Sequence, residues 1–550
     1  MCGGCGATKC CISRYFREHT QARWVTLCDV QSASSPDPTT LDRDALVARL
    51  ASREERVQLL EQENRWLKSQ LFGRSSERAV PEAPVDPNAP QGWLFNETET
   101  LSVAAASAPE SVTIPAHERR TRGRKPLPDA LPRVELVHDV AEADKVCPVD
   151  GTALVRIGEE TSEQLDYVPA QVRVLRHVRP KYACPCCKQR LAIAPVPVQL
   201  FPKSLATPSL LAHICTAKFV DGLPLHRQEA QFARLGVGLG RATMALWMIR
   251  LGDELLRPLV NLLEDEIRTA RVIHCDETTL QVLRSEKAPT SDHWMWVRAA
   301  GPPGRRIVLF DYDASRGGEV PKRLLEGCSG ALITDGHEPY AAAAAAHGLV
   351  HAGCFAHVRR KYDEAIKAQP TATGQAKTAL AFIRELYAIE RQMNERDIPV
   401  AAEERLATRR ERSAPVMNAL RAWLEALEPQ VPPETRLGRA LRYTLNQWPK
   451  LVAFLDHGEI PLDNNRCENA IRPFVIGRKG WLFADTVPGA RASATLYSLV
   501  ETAKANGLEP HAYLSAVFTR LPHLTTVEEY EALLPWNLKA TLASSSRRGS

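Results

Sequence analysis

The chain has 550 residues, is 44% hydrophobic and 25% charged, and carries a formal net charge of +5; this length exceeds one ordinary core, so several modules are expected. The composition is that of a soluble globular protein, without a targeting segment or an apolar run near the roughly 20 residues that span a bilayer. Fourteen cysteines over such a length exclude the dense disulfide framework of a small secreted domain and point to a reducing cytoplasm, while the mild positive balance does not by itself identify a nucleic-acid partner.

Residues 1–40, with Cys2, Cys5, Cys10, Cys11 and Cys28, show no periodic pattern and stay unassigned, with disorder as the expectation. Over 41–78 the apolar residues fall at alternating steps of three and four, with Leu50, Val57, Asn64 and Leu71 in one row and Leu46, Leu60 and Leu67 in the other. This is a coiled-coil seam. Arg53 interrupts the second row, and Asn64 is the polar residue that fixes register and a two-stranded state. A homo-oligomer through this seam is expected; a solvated helix packed on its own protein is the other reading. Residues 79–133 are rich in Pro, Ala and Glu and read as a linker. Near its end, Arg119, Arg120, Arg122, Arg124 and Lys125 surround Gly123 on an extended stretch suited to phosphates or a minor groove, or simply to solvent.

Over 134–197, Cys184 and Cys187 have the C-x2-C spacing that lets one tight turn offer two thiolates to a tetrahedral zinc, and Cys147 opens CPVDG upstream. Asp150 stands where a fourth ligand is needed, and a carboxylate is unusual in a structural zinc site. Zn2+ held by Cys147, Asp150, Cys184 and Cys187 is the expectation, with a metal-free remnant as the alternative. Over 198–262 short amphipathic helices are predicted, two of them flanking a turn at Gly236 and Gly238. The second opens after Gly240 with Arg241 and Thr243, as a helix-turn-helix does, and Arg227 lies on the first. These three residues contact DNA on that reading; a helical hairpin that binds nothing has the same pattern.

The pattern then becomes extended. RVIHCDETTLQVL, HWMWVRAA, RRIVLFDYD and GALITDG read as strands of one sheet. Asp276 follows VIHC and Asp335 follows ALIT, each read at a strand end, where an unpaired carboxylate costs free energy unless a cation compensates it. Singly, each reads as an ordinary strand-end or capping Asp. Glu468 lies in PLDNNRCENAIRPFVIGRKGWLF, where Asp463, Asn464 and Asn465 lead as a turn into a short helix that Pro473 soon disturbs. Arg472 shares its face, and downstream Arg478, Lys479 and Trp481 suit a DNA backbone and a displaced base.

Taken in order, LFGRSSER, GRKPLP, YACPCC, DGLPLHRQEAQFARLGV, CDET, TDGHEPY, HAGCFAHVRRKY, DNNRCENAIRPFVIGRKGWLF and SLVETAKANGLEP resemble the insertion sequence sixty-six group of DDE transposases. The likeness runs from Leu41 almost to the C-terminus, with Asp150 in place of a second knuckle cysteine and no counterpart for residues 1–40. The resemblance implies that Asp276, Asp335 and Glu468 are the catalytic triad of a ribonuclease-H-like domain over 263–490. That domain has a helical insertion at 363–447 and is followed by a C-terminal helical domain over 491–550. The implied fold is multidomain and mainly α, around an α/β core with a mixed five-stranded sheet and flanking helices.

Phosphodiester transfer requires two hard cations roughly 3.5–4 Å apart, and carboxylates are natural ligands for Mg2+ or Mn2+. The resemblance implies cleavage at transposon ends and direct attack of the freed 3′ hydroxyls on target DNA. Its partners would be double-stranded DNA and small companion proteins of the element, with no membrane. Glu277 points to the other face if the strand continues, as support rather than ligand. HAGCFAHVRRKY reads as a fifth strand running into a helix, with Cys354 in the core and Arg359, Arg360 and Lys361 toward DNA, rather than as a metal site of His351, Cys354 and His357. The alternative function is a catalytically silent DNA-binding protein derived from a transposase, against which the three intact acids argue.

Overall fold

A computed structural model describes residues 43–72, 171–183, 191–369, 374–395 and 400–546. The readings of residues 1–40, of Arg122, Arg124 and Lys125, and of Cys147, Asp150, Cys184 and Cys187 therefore lie outside the described residues. The chain divides into two compact units, residues 78–196 and residues 1–77 with 197–550. In the smaller, β1 (Lys181–Ala183) pairs antiparallel with β2 (Leu191–Ile193), Lys181 opposite Ile193.

The larger unit begins with α1 (Arg43–Phe72), one continuous helix. After the smaller unit come α2 (Pro208–Phe219), α3 (Leu225–Arg234), α4 (Arg241–Arg250) and α5 (Arg257–Arg268). Local signals set their ends: Thr207 caps α2 by accepting from Leu210 N at 3.2 Å ahead of Pro208, and α4 opens directly after Gly240. Gly236, at φ +78°, makes the turn between α3 and α4.

The extended segments form one mixed sheet. β3 (Val272–Arg284), β4 (Asp292–Ala300) and β5 (Ile307–Asp313) make an antiparallel meander through short connections. α6 (Glu319–Leu324) precedes β6 (Ala331–Ile333), which runs parallel to β3, and α7 (Glu338–His347) leads to β7 (Val350–Ala352), parallel to β6. The spatial order is β5-β4-β3-β6-β7. Two expectations need correction. Asp276 does not close its strand: β3 runs 13 residues and stays paired with β4 as far as Gln281, so Asp276 lies inside it. A sixth short strand also joins the sheet, as described below.

Beyond β7, α8 (Phe355–Ala368), α9 (Gly374–Asn394), α10 (Ala402–Thr408), α11 (Ala414–Leu427) and α12 (Arg436–Leu451) build a helical body with its own core around Phe355, Tyr362, Leu386, Met417 and Leu441. Its buried ion pair is Arg409, which donates from Nε to Glu390 at 2.7 Å. This body also covers Ile333 and Ala352 of the sheet. One side of α1 rests on it: Arg436 lies 3.9 Å from the centre of the Trp66 ring and 3.7 Å from Glu63. Leu50, Val57, Leu60 and Leu67, all in the predicted seam, are 44% to 61% exposed.

α13 (Asn465–Trp481) is the third correction, because it continues through Pro473 for 17 residues. Proline removes one helical hydrogen bond. Here the carbonyl it abandons belongs to solvent-exposed Asn469, while Cys467, Ile471, Phe474 and Gly477 keep one face buried on both sides of the break. β8 (Ala484–Thr486) then pairs with the far end of β3, Val282 opposite Ala484. α14 (Val487–Ala505) crosses the outer strand β5 and closes its edge with side chains: Ser498 Oγ accepts from Phe310 N at 2.8 Å, Thr502 Oγ1 from Val308 N at 3.0 Å, and Asn506 Oδ1 from Arg306 N at 3.0 Å. An edge covered this way is closed to another chain. α14 also lies so near the helical turn Leu251–Leu255 that follows α4 that a Cβ on Gly252 would come within 2.5 Å of Ala492 Cα.

Candidate active site

The register of β3 and β6 brings two of the acids together. His274 is opposite Ile333 in the parallel pair; two residues further on stand Asp276, still inside β3, and Asp335, just past the end of β6. Each is oriented by its own backbone: Asp276 Oδ1 accepts from Glu277 N and Asp335 Oδ1 from His337 N, both at 2.9 Å. The Asp335 carbonyl accepts from Tyr443 of α12 at 2.7 Å. Gly336 follows at φ +94°, a backbone conformation that favours glycine, with the Gln447 amide packed against it.

Glu468 arrives from more than a hundred residues away, in the first turn of α13. Buried Asn464 holds that turn: its Nδ2 donates to Cys275 O at 2.8 Å, its Oδ1 meets His274 Nδ1 at 3.0 Å, and its N–H reaches Cys354 Sγ at 3.2 Å. Because Oδ1 can only accept, His274 carries its proton on Nδ1. Neighbouring Asp463 accepts from Tyr387 of α9 at 2.8 Å, which ties the helical body to the same turn. Glu468 Oε2 accepts from Arg360 at 3.3 Å, and Oε1 lies 3.5 Å from His357 Nδ1.

The acids act on one another. Burial raises the Asp276 carboxyl well above the ordinary range, and the charges of Glu277, Asp335 and Glu468 raise it further. Among the described residues no cation pairs with Asp276 or Asp335. Around them, His337 Nε2, His351 Nδ1, His357 Nδ1, Gln447 Oε1 and Glu468 Oε1 are buried without hydrogen-bond partners. Other buried atoms elsewhere also lack partners, but the gathering of five nitrogen and oxygen atoms at one place fits a centre that receives a cation.

The other predicted residues divide. Arg359, Arg472 and Lys479 are exposed, as are Arg227, Arg241 and Thr243 on α3 and α4, while Arg360 is partly buried on Glu468. Arg478 turns inward, bonding both the carbonyl and the hydroxyl of Thr279 on β3, so it anchors α13. Trp481 packs edge-on against Phe474 with Lys218 5.3 Å from its ring, and Lys361 lies over Tyr443 at 5.8 Å. Glu277 accepts from Arg316 and from Tyr340 on the face away from the acids. Cys354 is core, as expected, with burial pushing its thiol up to about 12. Yet Cys354, His357 and Glu468 offer ligand atoms within 4.8 Å of one another, whereas His351 bonds Thr334 at 2.9 Å. Asn464 and His357 were not read as site residues. The signal for Asn464 was an amide entering a helix start; His357 gave only its spacing from two other metal-ligand types.

The fold thus defines a protein with an acid-lined centre on a mixed sheet, flanked by exposed arginines and closed by a helical body. The chain belongs to the transposase IS66 family, which it matches over residues 203–492. Residues 144–188 match the zinc-finger binding domain of transposase IS66, residues 498–536 the IS66 C-terminal element, and residues 59–136 the transposase C of IS166 homeodomain. Relatives in Sinorhizobium fredii include protein y4jD, 36% identical over 75% of this chain and 82% of its own length, and protein y4qI, 34% identical over 81% and 83%. No helix among the described residues is long and apolar enough to cross a membrane.

Proposed function

We propose that this transposase cuts DNA at the ends of an insertion element and joins them to target DNA at the centre formed by Asp276, Asp335 and Glu468. The observation that carries it is the placement of Asp276 inside β3 and of Asp335 just past the end of the parallel strand β6, with the charges of Asp335 and Glu468 both acting on Asp276. The strand order β5-β4-β3-β6-β7, antiparallel on one side and parallel on the other, supports a ribonuclease-H-like core. The three acids would hold Mg2+ or Mn2+, which when bound activates the attacking oxygen and stabilises the leaving one. Asn464 and Arg360 position Glu468, and Arg359, Arg472 and Lys479 offer exposed charge to the phosphate backbone.

End recognition falls to the other modules on this reading. Cys147, Asp150, Cys184 and Cys187 hold Zn2+. Arg122, Arg124 and Lys125 track the backbone, and Arg227, Arg241 and Thr243 reach DNA from α3 and α4. The exposed leucines and valine of α1 make a two-stranded coiled coil with a second copy, and companion proteins of the element join the complex in the cytoplasm.

The test uses labelled DNA carrying the element's ends, with magnesium. Asp276→Asn, Asp335→Asn and Glu468→Gln each lower cleavage more than about a thousandfold and leave end binding intact. Binding lost in parallel with cleavage would overturn the assignment. A wild type that binds the ends yet stays silent, companions included, would leave the silent DNA-binding reading.

A further inference from the structure

We propose that His357 is a nitrogen ligand of the divalent cation at Glu468, so that the centre is a mixed carboxylate and imidazole site that binds Mn2+ in preference to Mg2+. The inference rests on the reading of Glu468 as a ligand. His357 lies in the first turn of α8 and turns Nδ1 toward Glu468 Oε1, 3.5 Å away. Both atoms are buried and neither makes a hydrogen bond. Such a pair is costly if left so. Two ligands of one ion, with bonds of about 2.0–2.2 Å, stand roughly 3–3.6 Å apart, so a cation between them would satisfy both atoms without moving the backbone.

The neighbours leave these two atoms for the purpose. Arg360 takes the other carboxylate oxygen of Glu468 at 3.3 Å. Cys354 Sγ is near enough to join them, but it is buried and already accepts from Asn464 N at 3.2 Å. The charges of Glu468 and, more weakly, Asp335 both act on His357, against those of Arg360 and Lys361. Magnesium demands hard oxygen ligands, whereas imidazole suits transition metals; one nitrogen donor therefore tilts the centre toward manganese.

Pulsed electron paramagnetic resonance of the full chain loaded with Mn2+ alone tests this. Nitrogen-14 modulation is expected in the wild type, replaced by nitrogen-15 modulation when histidine is isotopically labelled, a comparison that needs no variant. His357→Ala should lose the signal and weaken Mn2+ binding by about 10–100-fold. His351→Ala should keep the signal, and Mg2+ affinity should change far less in His357→Ala. If the wild type shows no histidine nitrogen although Asp276→Asn and Glu468→Gln still weaken Mn2+ binding, the imidazole ligand is overturned and the acid centre stands. Mn2+ binding indifferent to those two acids would overturn both.

Discussion

Around Arg298 the sheet gathers the carboxylates of Glu264 and Asp311 on one buried guanidinium, which bonds both and donates to Leu324 O at 2.7 Å. Around Asp276 it gathers the charges of Glu277, Asp335 and Glu468 with no such cation at their centre. Both clusters are set against the same antiparallel strands, and both bury carboxylates. One is electrically closed and holds α5 to the sheet; in the other, Arg316 and Arg360 take up Glu277 and Glu468, while Asp276 and Asp335 have no cation partner among the described residues. Buried acids alone therefore do not mark a functional site; acids whose charge the fold declines to cancel do.

The sharpest way to break this comparison is Asp276→Asn, which should act in opposite directions on activity and stability. Cleavage is lost. Because Asp276 is raised in the folded protein, the folded state keeps a proton that the unfolded chain releases above the ordinary carboxylate range, so this residue lowers stability as pH rises. The melting temperature of metal-free Asp276→Asn should therefore exceed that of the wild type by a margin that grows from acid toward neutral pH, and magnesium should shrink it. A constant margin would remove Asp276 from the uncompensated cluster.

Arg298→Met should do the reverse at the closed cluster, leaving two acids unpaired at a cost of about 3–5 kcal/mol in urea unfolding followed by tryptophan fluorescence. Asn464→Ala sits between the two cases. It forfeits the bonds to Cys275 and His274, costing about 2–3 kcal/mol, and should slow cleavage by loosening Glu468 without abolishing metal binding. The smallest effect is expected from Thr502→Val, about 1 kcal/mol, with faster hydrogen exchange at the Val308 amide once the β5 edge is opened.

Much of this was legible along the chain. The apolar and β-branched runs placed five strands, the glycine turn placed α3 and α4, and the continuous helix at 43–72 falls on the predicted seam. What misled was local. An acid after four apolar residues looked like the end of a strand, and Pro473 looked like the end of a helix; pairing with β4 and burial on both sides of the proline prevailed.

Residue type and order by themselves determined that this chain carries acids, cations and cysteines in the succession of its transposase family, because those features are chemical and short in range. The family resemblance named Asp276, Asp335 and Glu468, but what holds each of them in place is set by the tertiary structure. The charges of Asp335 and Glu468 both reach Asp276, because β6 runs in register beside β3 and Asn464 pins a helix start to β3 across 189 residues. The same holds for His357 facing Glu468 and for Ser498 and Thr502 of α14, with Asn506 just past its end, closing the edge of β5. Periodicity reports which face of one element is buried, whereas the partner on that face is fixed by how separate elements pack.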